Sequence, residues 1–149
     1  MALLLTVHAL STWFMVGLIW LVQMVHYPLF ARVGREGFAA YASAHTRLVS
    51  WVVGPPMLVE AASAAALLLW HPEGAWLASW GGAFLLAAVW ASTALLQVPA
   101  HAHLQKGFDG AVCEGLVRSN WIRTCAWTLR GLLAAWLVWH GLATGGRGV

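Results

Sequence analysis

Four stretches of this chain are apolar almost without interruption: roughly Ala2 to Tyr27, Leu48 to Trp70, Trp76 to Pro99 and Trp121 to Leu142. Each is near the ~20 residues that a tilted helix needs to cross the hydrocarbon of a bilayer. The pattern predicts an all-α protein, a four-transmembrane-helix bundle forming one integral membrane domain over residues 1–149. The few polar positions inside these stretches fall on faces. At about 100° per residue, His8, Thr12, Gln23 and His26 gather within about 60° on the first span. Ser79, Gly82, Leu86, Trp90, Thr93, Gln97 and His101 form a stripe on the third, and Asn120, Arg123, Trp127 and Arg130 share a face of the fourth. Polar groups in hydrocarbon are costly unless satisfied, so these faces look inward.

Between the first two spans, Phe38, Tyr41, His45 and Leu48 recur at helical spacing beside Arg35 and Arg47. That spacing predicts a short amphipathic helix lying in the membrane interface. The second span begins at Gly54-Pro55-Pro56, whose missing N–H groups free the carbonyls of Trp51 and Val52. Glu60 follows one turn later. The two halves of the chain also superpose in outline: Gln23, His26 and Pro28 end the first span, and Gln97, Pro99 and His101 end the third. Each half then carries one deep charge, Glu60 or Arg130. This suggests two tandem helix-pair repeats related by rotation about the membrane normal.

Composition agrees with the pattern. The chain is 61% hydrophobic and only 9% charged, with a mean hydropathy of +0.74, whereas a soluble protein has about a quarter of its residues charged. A net charge of +3 does not point to nucleic acid, because the basic residues mark topology instead. Arg32, Arg35, Arg47, Lys106 and Arg118 lie in the first and third loops, and the second loop, His71 to Ala75, has none. By the positive-inside rule those loops are cytoplasmic and both termini outside, with Arg147 the lone basic residue on the far side. No Lys or Arg precedes Arg32, so the first span is expected to stay rather than be cleaved. Among eleven tryptophans, Trp51, Trp70, Trp76, Trp80, Trp121 and Trp139 sit at span ends as an aromatic belt does. Trp13, Trp20, Trp90, Trp127 and Trp136 lie deeper and are expected between helices. Cys113 and Cys125 read as free thiols.

The candidate chemistry converges on the cytoplasmic half. Neutral imidazoles with a carboxylate suit Fe, Cu or Zn, and four-helix bundles build such sites from inward side chains. His26, His45, His101 and Glu60 are the expected transition-metal ligands. Glu60 has a second reading as the ion-pair partner of Arg130, since intramembrane charges usually pair. Glu60, Asn120 and Arg123 are the expected catalytic residues, Asn120 with Arg123 orienting an oxygen of the substrate. Gln23, Gln97 and Arg130 are expected to support them. Haem b is a second cofactor reading, with His8 and His26 as ligands and His140 and His101 as their partners.

The run Val25-His26-Tyr27-Pro28-Leu29-Phe30, with Gln97-Val98-Pro99, Phe108-Asp109 and Asn120-Trp121-Ile122-Arg123-Thr124, resembles small four-span bacterial membrane proteins of unassigned function. The resemblance covers nearly the whole chain. It implies the four-helix fold and a bacterial inner membrane, and no activity or site residue.

The function expected from these residues is an intramembrane metal-dependent oxidoreductase, or an oxygenase-like enzyme, acting on a lipid-soluble substrate at the cytoplasmic side. The alternatives are a small oligomeric transporter or ion pathway, gated by Glu60 and Arg130, and a structural or haem- or pigment-binding subunit of a larger membrane complex. Membrane lipid is the expected surrounding, homo-oligomers or a larger complex the expected assembly, and no nucleic-acid partner is expected.

Overall fold

The computed structural model describes residues 1–145, and within them the chain is entirely helical apart from its turns. Four helices follow one another: α1, Ala2–Phe30; α2, Phe38–Leu69; α3, Trp76–Leu104; and α4, Gly110–Gly145. The first three are long and apolar enough to cross a membrane. The fourth, 36 residues long, carries Asn120, Arg123 and Arg130 on its inner face and falls short of that apolarity. Arg147, expected on the far side, lies outside the described residues.

The helices form an up-down-up-down ring in which α1 packs on α2 and α4, and α3 on α4 and α2. The α1–α4 seam is the closest, because Gly131 lets the backbones approach. A Cβ there would stand 3.0 Å from Val16 and 3.4 Å from Trp13. The α2–α3 seam is the loosest.

The interfacial helix expected before the second span is not a separate element. Residues 38–69 form one helix of 32 residues, about 48 Å long, which starts at Gly37 in the left-handed conformation at φ +76° and continues through Pro55-Pro56. His45 therefore belongs to α2 and faces the bundle.

Both α1 and α3 contain one wide π turn, at Val22–His26 and Thr93–Gln97. In each, an N–H reaches five residues back: Tyr27 donates to the Val22 carbonyl and Val98 to that of Thr93. A proline follows at once, Pro28 or Pro99. Proline neither donates to the carbonyl four residues earlier nor leaves room beside it, and the wide turn relieves that conflict without breaking the helix.

The deep tryptophans divide. Trp127 is buried, as expected, but Trp13, Trp20, Trp90 and Trp136 are each more than a third exposed. Cys113 and Cys125 are free thiols.

Candidate functional site

Three imidazoles from three helices converge at the end of the bundle that carries the basic loops. His26 Nε2 and His45 Nδ1 are 2.9 Å apart, and the His45 and His101 rings are 5.4 Å apart between centroids. Beneath them lies Phe30, fully buried and edge-on to His26 and His45 at 5.2 and 5.1 Å.

From His101 a chain of hydrogen bonds runs inward. Its Nε2 is 3.1 Å from the Tyr27 hydroxyl, which accepts an N–H from Arg123 at 3.1 Å. Arg123 also donates through Nε to Asn120 Oδ1 at 2.9 Å. Asn120 Nδ2 donates to Gln23 Oε1 at 2.9 Å, and Gln23 Nε2 donates to the Val117 carbonyl at 3.2 Å. Arg123 is buried, as are Asn120, Gln23 and Tyr27. The guanidinium is thus held in a fixed pose by α1 and α4 together.

Tyr27 is the member that sequence reasoning missed. On a regular helix it sits about 100° from His8, off the inward face. The extra residue of the π turn rotates it back, and it is only 5% exposed. Pro28 was the available signal, since a proline inside an apolar helix demands a local irregularity.

Glu60 is not with the histidines. Its Oε1 accepts from Arg130 Nε at 2.9 Å and from the Thr12 hydroxyl at 3.0 Å, and its Oε2 accepts from Trp127 Nε1 at 2.9 Å. Arg130 also donates to the Gly82 carbonyl. Of the two readings of Glu60, the geometry selects the ion pair. Both side chains are at most 1% exposed, and four hydrogen bonds to one carboxylate and one carbonyl hold the pair, with Arg130 Nη2 left without a partner.

This arrangement brings three of the four expected metal ligands together and leaves Glu60 apart. The one carboxylate is taken by Arg130, His26 and His45 turn nitrogens toward each other, and His101 Nε2 lies on Tyr27. Among the described residues no group of three or more His, Cys, Asp and Glu side chains is disposed to hold a metal ion. The haem ligands are not assembled either. His8 Nδ1 is 2.8 Å from Ser63 Oγ, beside a space of only about 10 Å³. His140 stacks on Trp136 and meets the Glu73 carbonyl at 2.7 Å.

A cavity of about 480 Å³ opens where α2 and α3 pack least closely. Its middle is apolar, with Met15, Ile19, Val53, Met57, Trp90 and Trp127. Its end toward the basic loops is polar, with Tyr27, His45, Gln97, His101 and Arg123. Leu58 and Val98, both on its wall, are 63% and 57% exposed, so the cavity reaches the outer surface of the bundle sideways. Neither a protein-family model, nor a curated protein, nor a solved structure matches the chain. The site therefore stands on its own geometry. It defines a helical bundle with a lateral, mainly apolar cavity and a polar, cationic end.

Proposed function

We propose that this chain is a membrane-embedded enzyme that takes a lipid-soluble, oxygen-bearing substrate from the bilayer and works on its polar end by proton transfer. The cavity carries the reading. Its volume falls among the about 300–1,000 Å³ of small-molecule sites, which likewise combine apolar walls with a few converging polar groups. Arg123, fixed by Asn120 and Tyr27, offers a preorganised positive charge to an oxygen on which negative charge develops. Tyr27 and His101 stand in hydrogen-bond sequence as proton carriers. His45 and His26 extend that sequence toward the loop end of the bundle, where both are half-buried. Glu60 serves this site at one remove, by anchoring Trp127 in the cavity wall.

The bundle is proposed to span a bacterial inner membrane four times, with the basic end cytoplasmic and both termini outside. At 36 residues, α4 is long enough to span despite Arg123 and Arg130, which find partners inside the bundle. The matched π turns before Pro28 and Pro99 support two tandem helix-pair repeats.

Oxidoreduction at a metal draws less support, since Glu60, expected as a ligand or proton acceptor beside His26, His45 and His101, is paired with Arg130. A transition metal bound stoichiometrically by purified protein, and lost on His26→Ala, would restore it. Transport is disfavoured by the burial of Glu60 and Arg130, with space for only about one water beside Arg130.

The test is extraction. Protein purified in nanodiscs from bacterial membranes is stripped with organic solvent and the extract analysed by mass spectrometry. An oxygen-bearing lipid-soluble molecule, enriched over empty nanodiscs and absent from Met57→Trp, is the expected result. If wild type and the cavity-filled variant carry the same molecules, the reading fails.

A further inference from the structure

Two buried polar atoms at the cavity's end have no partner within the protein, Gln97 Oε1 and His101 Nδ1. A buried polar atom without a partner is costly, so such atoms point to what is bound there. The surrounding hydrogen bonds decide what each atom asks for.

Gln97 Nε2 faces Ser119 Oγ at 3.2 Å, and Ser119 Oγ donates its own proton to the Leu116 carbonyl. Ser119 can therefore only accept from Gln97. This fixes the amide with its NH₂ toward Ser119 and leaves its oxygen as the free atom, an acceptor in need of a donor. Gln97 is 2% exposed, so its donor has to come from what occupies the cavity it lines.

His101 is assigned by the same logic. Arg123 only donates, so the Tyr27 oxygen accepts from it. Among the described residues the remaining neighbour of the Tyr27 hydroxyl is His101 Nε2, so the phenolic proton goes there and Nε2 accepts. A neutral imidazole then carries its hydrogen on Nδ1. The free atom of His101 is a donor in need of an acceptor.

Gln97 and His101 are four residues apart on α3, neighbours on one helix face about 5–6 Å apart at Cβ. Both line the cavity. One group that donates and accepts from the same atom satisfies both. Resting on the reading of the cavity as a substrate site, we propose that it selects its ligand by a hydroxyl group, an alcohol, phenol or enol. The hydroxyl O–H is donated to Gln97 Oε1 and its oxygen accepts from His101 Nδ1–H. A ketone, quinone or ether of the same shape leaves the Gln97 oxygen unpaired. Gln97 is thus the specificity-determining residue, and a site built to bond a hydroxyl rejects the analogue lacking it far more strongly than an apolar pocket rejects a missing methylene.

The probes are 1-naphthol and its methyl ether, with binding to protein in nanodiscs corrected for partition into empty nanodiscs. Wild type is expected to prefer 1-naphthol by roughly tenfold or more, and Gln97→Leu to reduce that preference to about twofold or less by removing the acceptor. Equal affinity of wild type for the two probes overturns the hydroxyl inference and leaves the apolar site standing. A preference that survives Gln97→Leu overturns the role of Gln97. No saturable binding of either probe overturns the site reading, and this inference with it. The wild-type comparison does not depend on whether the variant folds.

Discussion

Glu60 and Arg130 meet at the centre of the bundle, each nearly without solvent contact, and their value depends on both being present. Removing one partner of a buried pair leaves the other uncompensated and costs about 3–5 kcal/mol, while replacing both with apolar residues is often close to neutral. Arg130→Leu is therefore expected to lower stability by about 3–5 kcal/mol in denaturant titrations in detergent, and Glu60→Leu/Arg130→Leu by distinctly less than either single change. A double variant as unstable as the sum of the singles would show that the two residues act separately. The pair was legible in the sequence as one of two readings of Glu60, because an isolated intramembrane charge demands a partner. Its other partners, Thr12 and Trp127, were not: both were placed on inward faces, but helical phase gives a face and not the depth at which two faces meet. Gln23, Gln97, Asn120 and Arg123 were legible as a polar set for the same reason. That Gln97 would be left short of a partner depends on Ser119, which nothing in the one-dimensional pattern distinguishes from any other serine.

Each helix shows how far periodicity carries. Regular 3.6-residue arithmetic placed His8, Thr12 and Gln23 correctly inside, and all three are buried. It failed at the π turn, where one added residue breaks the phase, and so it lost Tyr27. Deleting Met24, which is 60% exposed, is expected to restore a regular helix and to leave Tyr27, then eighteen residues from His8, on the inward face near Arg123. The deletion variant should keep its helical circular dichroism and its 1-naphthol binding. Lost binding would mean that the wide turn itself, and not only the phase it corrects, sets the site.

Helix packing sets a second expectation. Gly131 faces the stiff Val16 and the Trp13 ring, whereas a Cβ at Gly141 would meet only the movable end of Leu5. Alanine adds helix propensity at both sites, so the difference isolates packing: Gly131→Ala should melt lower than Gly141→Ala. The opposite order would mean that the α1–α4 seam has slack at Val16.

The start of α4 has its own pH dependence. Asp109 accepts the N–H groups of Val112 and Ala111, and these bonds, chiefly that from Val112, with His103 beside it, hold its carboxyl below the usual carboxylate range. Its stabilisation is therefore complete above that range and is lost as pH falls through the lowered folded value. Amide exchange at residues 110–113 should accelerate in that acid window in wild type. Asp109→Asn, an N-cap that does not titrate, should flatten the dependence.

At the scale of the whole molecule, the apolar segments were legible because hydropathy and length are bulk properties, and three of the four helices meet them outright. The boundary of α2 was not, since a run that is amphipathic and a run that is apolar can share one continuous helix. Topology gives a direct check of the proposed orientation. With Cys113 and Cys125 replaced by serine, a cysteine at Glu73 should react with membrane-impermeant maleimide in intact spheroplasts, and one at Lys106 only after permeabilisation. The reverse pattern would place the polar end of the cavity outside the cell.

Trp127 has its edge on Glu60 and its ring against the cavity, and it is the one tryptophan buried within the bundle. The other ten are each more than a third exposed, Trp90 among them in the wall of the same cavity. Collisional quenchers sort such fluorophores by contact. In bilayers of brominated lipid with acrylamide in the water, the ten exposed indoles go dark and the residual emission belongs to Trp127. The protein thus carries its own optical gauge of cavity occupancy, with no label attached: a bound molecule changes the intensity or wavelength of that residual light, and a molecule that only dissolves in the surrounding lipid does not.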